Sequence, residues 1–156
     1  MNEHRDSSNA VVRPPIALAL AIVVGLAADW LYPWQFLPAS LPGKWFGGGM
    51  FGAGLALGVW AILTFRRAGT RVETNRPTSA IVASGPYRFT RNPIYAGMLL
   101  GQTGLAIAFD SAWMLITLVA LYLVIRYGVV AREEAYLARK FGDAYLGYKS
   151  RVRRWL

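Results

Sequence analysis

Apolar residues fall along this chain in blocks rather than in stripes. Ile16 to Tyr32, Trp45 to Phe65, Ile94 to Phe109 and Ala112 to about Tyr127 run with almost no charge. At 1.5 Å per residue each crosses or nearly crosses a hydrocarbon core of about 30 Å, so the pattern predicts four transmembrane helices. The third and fourth are short, and the first carries Asp29 near its end, which reads as a solvated helix terminus rather than an intramembrane acid. Beyond the fourth block the period changes. Val130, Glu134, Leu137, Phe141, Tyr145 and Tyr148 recur at spacings of three or four, which predicts an amphipathic helix lying along the membrane surface, with Gly142 ending or kinking it. The fold class is therefore all-α, a polytopic membrane protein of about four transmembrane helices plus a C-terminal interfacial helix. A polar tail over residues 1–13 precedes a single domain over residues 14–156.

Composition agrees: 156 residues, 55% hydrophobic and 16% charged, make one domain with too few charges to coat a soluble globule. Charge then sets an orientation. Of 17 Lys and Arg, only Lys44 falls between the first and second spans, and none between the third and fourth. The others lie in the N-terminal tail, in the loop from Arg66 to Arg91, or from Arg126 onward, so the positive-inside rule makes both termini and that loop cytoplasmic. The formal charge of +9 is accounted for by topology and anionic lipid, without nucleic acid. The first span is expected to be retained, because the aromatic stretch LYPWQFLP follows it in place of a small-residue cleavage site. With no cysteine, and His4 the lone histidine, disulfides, thiolate metal sites and most histidine chemistry are excluded.

The candidate chemistry is concentrated in SAIVASGPYRFTRNPIYAG, Ser79 to Gly97, between two spans. Asn92 suits an N-cap and Pro93 the first helical position. The helix they start turns unpaired N–H groups towards the loop, a place for a carboxylate or phosphate; alternatively Arg88 and Arg91 simply snorkel to lipid phosphates. After the fourth span, Glu133 and Glu134 lack a Lys or Arg four residues on, so the pair needs a partner from elsewhere. An ion pair with Arg88 or Arg91 and a bound ligand both satisfy that need. In the second span Gly48 and Gly52, and Gly54 and Gly58, have the spacing of close helix packing. Gly52-Ala53-Gly54 could instead leave room for a ligand against bare backbone.

Taken together, SGPYRFTRNPIYAG and, one helical hairpin later, REEAYLARKFGDAYLGYKSRVRRW resemble the isoprenylcysteine carboxyl methyltransferase family and the related phospholipid N-methyltransferases. The resemblance covers roughly Gly69 to Trp155; the first two spans match only in hydropathy. It implies an integral-membrane methyltransferase that binds S-adenosylmethionine at the cytoplasmic mouth of a helical bundle. It also implies contacts to that cofactor from Tyr87 and from the turn Asn92, Pro93, Ile94 and Tyr95. A strand-like run of Ser79, Ala80, Ile81 and Val82 would wrap the cofactor, with Glu133 binding it and Glu134 in support. No metal is implied. The family members that act on prenylated cysteine carry Arg-His-Pro where this chain has Arg91-Asn92-Pro93, so a proton-handling role is not carried over. Their substrate-side arginine falls on Val129, which counts against a carboxylate acceptor. The acceptor expected is a lipophilic or small membrane-accessible molecule, its identity and the oligomeric state being left open. Arg91 is the candidate for an electrostatic or orienting role in catalysis, with Arg126 second. Two other classes compete. A membrane reductase related to the sterol reductases would bind NADPH and need more spans, and a small non-enzymatic transporter would place ionisable groups at mid-bilayer.

Overall fold

The computed structural model describes residues 11–69 and 81–155. The first helix, α1, runs Pro14–Leu31, with prolines in its first turn, where a missing N–H costs nothing. The second, α2, runs Gly43–Arg67. A short 3-10 turn, Gly85–Arg88, leads into α3, Pro93–Ala108. The turn Phe109–Ser111 reverses the chain into α4, Ala112–Leu123, which passes without a break through a π-helical segment, Val124–Val130, into α5, Ala131–Phe141. Gly142, at φ +51°, ends that helix, and α6, Asp143–Arg151, turns back. The amphipathic surface stretch is thus two helices, divided at Gly142 as expected, because the backbone there takes a conformation that side chains rarely adopt.

Three of these helices are long and apolar enough to cross a membrane: α1, α2 and the continuous Ala112–Phe141; α3 is a shorter apolar helix of 16 residues. Large apolar side chains stand exposed along them, among them Val23 at 61%, Leu55 at 58% and Val119 at 60%, as lipid-facing positions do. The turns at the far end are tied together. Asp110, itself at φ +50°, accepts hydrogen bonds from the backbone N–H of Phe36 and Leu37 at 2.9 and 2.7 Å. Trp113 Nε1 donates to the carbonyl of Tyr32 at 2.8 Å. The Leu31–Pro38 stretch therefore anchors the α3–α4 hairpin to α1 and α2.

Helices α2 and α3 meet backbone to backbone. A Cβ on Gly54 would lie 2.6 Å from the carbonyl oxygen of Gly97, and one on Gly97 the same distance from that of Gly54. Of the two expected glycine pairs, Gly48, Gly52 and Gly58 would point a Cβ into open space, so Gly54 alone of those four would point one at α3, as Gly47 does; the backbone of Gly58 still lies close, its N 2.9 Å from a Cβ on Gly97. The physical reason is the seven-residue step from 47 to 54, two helical turns, which keeps one face on Gly97 and Gly104.

The π segment sets the mouth. Leu121, Ile125 and Val129 are buried four residues apart, but the next buried positions, Val130 and Glu134, lie five residues beyond Ile125 and Val129. One extra residue in the turn rotates everything after it, and so brings the glutamate pair inward. From Ala112 to the end of this segment the helix rises about 27 Å, close to a full core thickness, so α5 with its acidic and basic residues lies beyond the spanning part.

Candidate functional site

The site forms where the head of α3, the 3-10 turn and the start of α5 meet. Gly85 stands at φ +57°, and Thr64 Oγ1 of α2 lies 2.8 Å from where its Cβ would be. Only glycine fits, and the turn is thereby pressed onto α2. Tyr87 follows. Its ring packs on Phe65 with centroids 4.8 Å apart, in a cluster with Ala61, Val82 and Ile94. Its hydroxyl is buried and has no hydrogen-bond partner among the described residues. Burial above all, then the nearby Tyr148 and Glu133, pushes the phenol far above its ordinary range, so it stays neutral and able to donate.

Tyr95, in the first turn of α3, donates from its hydroxyl to Glu133 Oε1 at 2.8 Å. Glu133 keeps part of its surface accessible but sits deep among protein atoms. Burial raises its carboxyl to about 7 even though the Tyr95 hydrogen bond acts to lower it. No cation pairs with it among the described residues. Ile94 bridges the two halves, packing against both the Tyr87 cluster and the cluster around Tyr95.

Glu134, one residue on, has an opposite environment. Arg154 grips it at both oxygens, Nε to Oε1 at 2.9 Å and Nη2 to Oε2 at 2.7 Å, while Arg91 Nη2 donates to Oε1 at 2.8 Å. Lys149 Nζ stands 3.8 Å away. Burial opposes the charge, but the hydrogen bonds from Arg154 and Arg91 outweigh it and hold this carboxyl below the usual range. Of the two partners open to the pair, Glu134 has taken the arginines. Arg91 is equally committed: Nη1 donates to the carbonyls of Lys149 and Val152 at 2.9 and 2.7 Å, and its backbone N–H to the carbonyl of Arg153. Its side chain keeps only 9% of its surface.

The helix cap differs from expectation. Asn92 occupies the N-cap position of α3, but its side chain does not cap; Nδ2 donates to the carbonyl of Arg154 at 3.0 Å. The C-terminal tail lies beside it and offers that carbonyl, which also accepts from Thr90 Oγ1 at 3.1 Å. Pro93 is buried at the first helical position. Ile81 is half-buried and Val82 buried, and neither belongs to a strand; Ser79 and Ala80 lie outside the described residues. The structure thus groups Tyr87, Ile94, Tyr95 and Glu133, and gathers Arg91, Asn92 and Glu134 on the tail. The tail's hold on Glu134 has no spacing signal. Arg154, and Tyr148, whose hydroxyl donates to the carbonyl of Tyr87 at 2.8 Å, sit in the second of the two resembling motifs, but nothing in that run singles them out as partners of Glu134 and Tyr87.

Below the mouth an apolar groove of about 200 Å³ runs between α1, α2 and α3. Along α3 it extends from Ile94 through Gly97 and Gly101 to Leu105, a rise of about 16 Å, with Gly54 and Gly58 opposite.

A family model described as phospholipid methyltransferase matches residues 43–144, from the first residue of α2 into α6. A protein of Haemophilus influenzae described as uncharacterized is 51% identical over 45 residues, 29% of this chain and 68% of that protein. The family match takes in the second span, which the sequence motifs left to hydropathy alone, and stops before the tail that holds Glu134.

Proposed function

The chain belongs to the phospholipid methyltransferase family, which makes its general activity methyl transfer by a membrane-embedded protein, and from that premise we propose that S-adenosylmethionine is the donor, held by Glu133, Tyr95 and Tyr87. Glu133 carries this reading. A carboxylate deep in a protein without a cation is costly, and a ligand bearing an ammonium and hydroxyl groups removes that cost. The hydroxyl of Tyr87 fits the same ligand, since it offers a buried donor with nothing among the described residues to receive it. Tyrosine faces nearby suit a sulfonium by cation–π attraction. Asn92, Pro93, Ile94 and the run Ser79 to Val82 complete the wall on this reading, the free N–H groups at the start of α3 suiting a carboxylate.

When bound, S-adenosylmethionine supplies a methyl group already activated on sulfur. The chain's task is then to align donor and acceptor and to exclude water, which supports a large acceleration without a general base. Arg91, held on Glu134 and the tail carbonyls, is better suited to positioning α3 and α5 than to touching an acceptor. The acceptor is lipophilic: the groove that begins at Ile94, beside the donor site, is lined almost entirely by apolar side chains and glycines of the spanning helices. The positive-inside distribution supports a cytoplasmic mouth and cytoplasmic termini.

Calorimetry in detergent tests this. S-adenosylmethionine and its demethylated product are expected to bind saturably to the full chain, and Glu133→Gln to weaken both by tenfold or more, roughly the value of a hydrogen bond to a charged group. Absence of binding to the wild type, or equal binding by the variant, overturns the assignment, as does saturable NADPH binding in its place.

A further inference from the structure

On the outer side of the α4 helix a second group of polar atoms is left incomplete. Arg126, within the π segment, donates from Nη1 to the hydroxyl of Tyr122 at 2.6 Å, and its guanidinium lies 5.9 Å from the Tyr122 ring and 5.4 Å from that of Tyr127. Among the described residues no carboxylate pairs with it. Its Nε–H is buried and has no acceptor among the described residues. Trp155, whose ring packs on Tyr122 with centroids 5.6 Å apart, has a buried Nε1–H with no acceptor either. Among the described residues, two N–H donors on either side of one tyrosine therefore lack a partner, and the Tyr122 phenol, which accepts from Arg126, still has its own proton to give.

Buried indole and guanidinium N–H groups are ordinarily satisfied, and what is missing here is an acceptor, not a donor. The surrounding charge points the same way. Among the described residues the carboxylate of the neighbouring network, Glu134, already faces Arg91, Arg154 and Lys149, so these groups together carry more positive than negative charge. Arg126 lies about 21 Å up the helix from Ala112, close to the level at which α3 begins, about 22 Å from Ala108. That is the edge of the apolar span, where tyrosine, tryptophan and arginine meet lipid headgroups. Exposed Tyr127 forms the outer wall.

We propose that Arg126, Tyr122 and Trp155 form a phosphate-binding site at the membrane boundary, separate from the methyl-donor site. A guanidinium supplies charge and planar donors, and the indole and phenol supply the directional bonds that distinguish a built site from a snorkelling arginine. The phosphate could come from an anionic lipid or from solution, and the chemistry is common to both.

Titration of the detergent-purified full chain with phosphatidic acid, diacylglycerol or inorganic phosphate, followed by the shift in thermal unfolding, tests the site without reference to methyl transfer. Phosphatidic acid is expected to bind saturably and diacylglycerol not to bind. Trp155→Phe, which keeps the ring on Tyr122 and removes only the N–H, and Arg126→Gln are each expected to weaken phosphatidic acid about tenfold. Competition by inorganic phosphate assigns the site to free phosphate, and its failure to compete assigns it to a lipid headgroup; either outcome supports the proposal. Wild-type affinity in both variants, or equal response to diacylglycerol, overturns it.

Discussion

Arg91 and Glu134 meet at 2.8 Å with only 9% and 8% of their side-chain surfaces exposed. The pair joins the loop before α3 to α5, and through Arg154 it also fastens the C-terminal tail. Removing Glu134 leaves both Arg91 and Arg154 without their carboxylate, a loss that typically costs about 3 kcal/mol or more, whereas removing Arg91 leaves Glu134 still held at both oxygens by Arg154. Glu134→Gln is therefore expected to lower thermal stability in detergent sharply, and Arg91→Met less. The double variant is expected to lose less than the sum of the two, a coupling that a double-mutant cycle measures. Additive losses would show that the two residues act independently.

Glu133 makes ligand binding depend on pH. With its carboxyl raised to about 7, the group is largely protonated at pH 6 and ionised at pH 8. A cationic ligand is expected to bind more tightly as pH rises through that window. The ligand-free protein moves the other way. A carboxyl whose folded value lies above its unfolded one stabilises the fold fully below about pH 4 and loses that contribution as pH rises through 7. Glu133→Gln is expected to flatten both profiles across that window, in calorimetry and in thermal melts respectively.

Tyr87→Phe separates binding from folding. The hydroxyl has no partner within the described protein, so its removal is expected to leave stability unchanged or raise it by up to about 1 kcal/mol. Affinity for S-adenosylmethionine is expected to fall several-fold in the same variant. A drop in stability without a change in affinity would assign the hydroxyl to the fold.

Two glycines on α2 should respond in opposite ways. Gly58 lines the groove and has nothing within 4 Å of its would-be Cβ, so Gly58→Leu fills the groove without disturbing α3. It is expected to fold normally, to keep donor affinity and to raise KM for long-chain acceptors. Gly54→Leu would drive a side chain into the backbone of Gly97 and Gly101, and is expected to prevent stable packing of α2 on α3. Unchanged KM in Gly58→Leu would remove the groove from the acceptor's path.

The long apolar blocks, the proline-started α3 and the break at Gly142 were legible in the sequence, because each depends on local chemistry: lipid contact, a missing N–H, a backbone only glycine tolerates. The unusual status of Glu133 and Glu134 was legible too, since neither has a basic residue one turn on. Their division of labour was not. Whether each carboxylate meets an arginine or a phenol is decided by residues 38 and more positions away, Tyr95 for one and Arg91 for the other, and no spacing rule reaches that far. The π turn is equally silent in the sequence, because its one extra residue leaves composition untouched while rotating all that follows. Sequence by itself thus determined which segments enter the membrane and which residue types wait at its edge. Only the tertiary structure, by bringing the C-terminal tail onto Arg91 and Glu134, decided that Glu133 stands without a cation among the described residues.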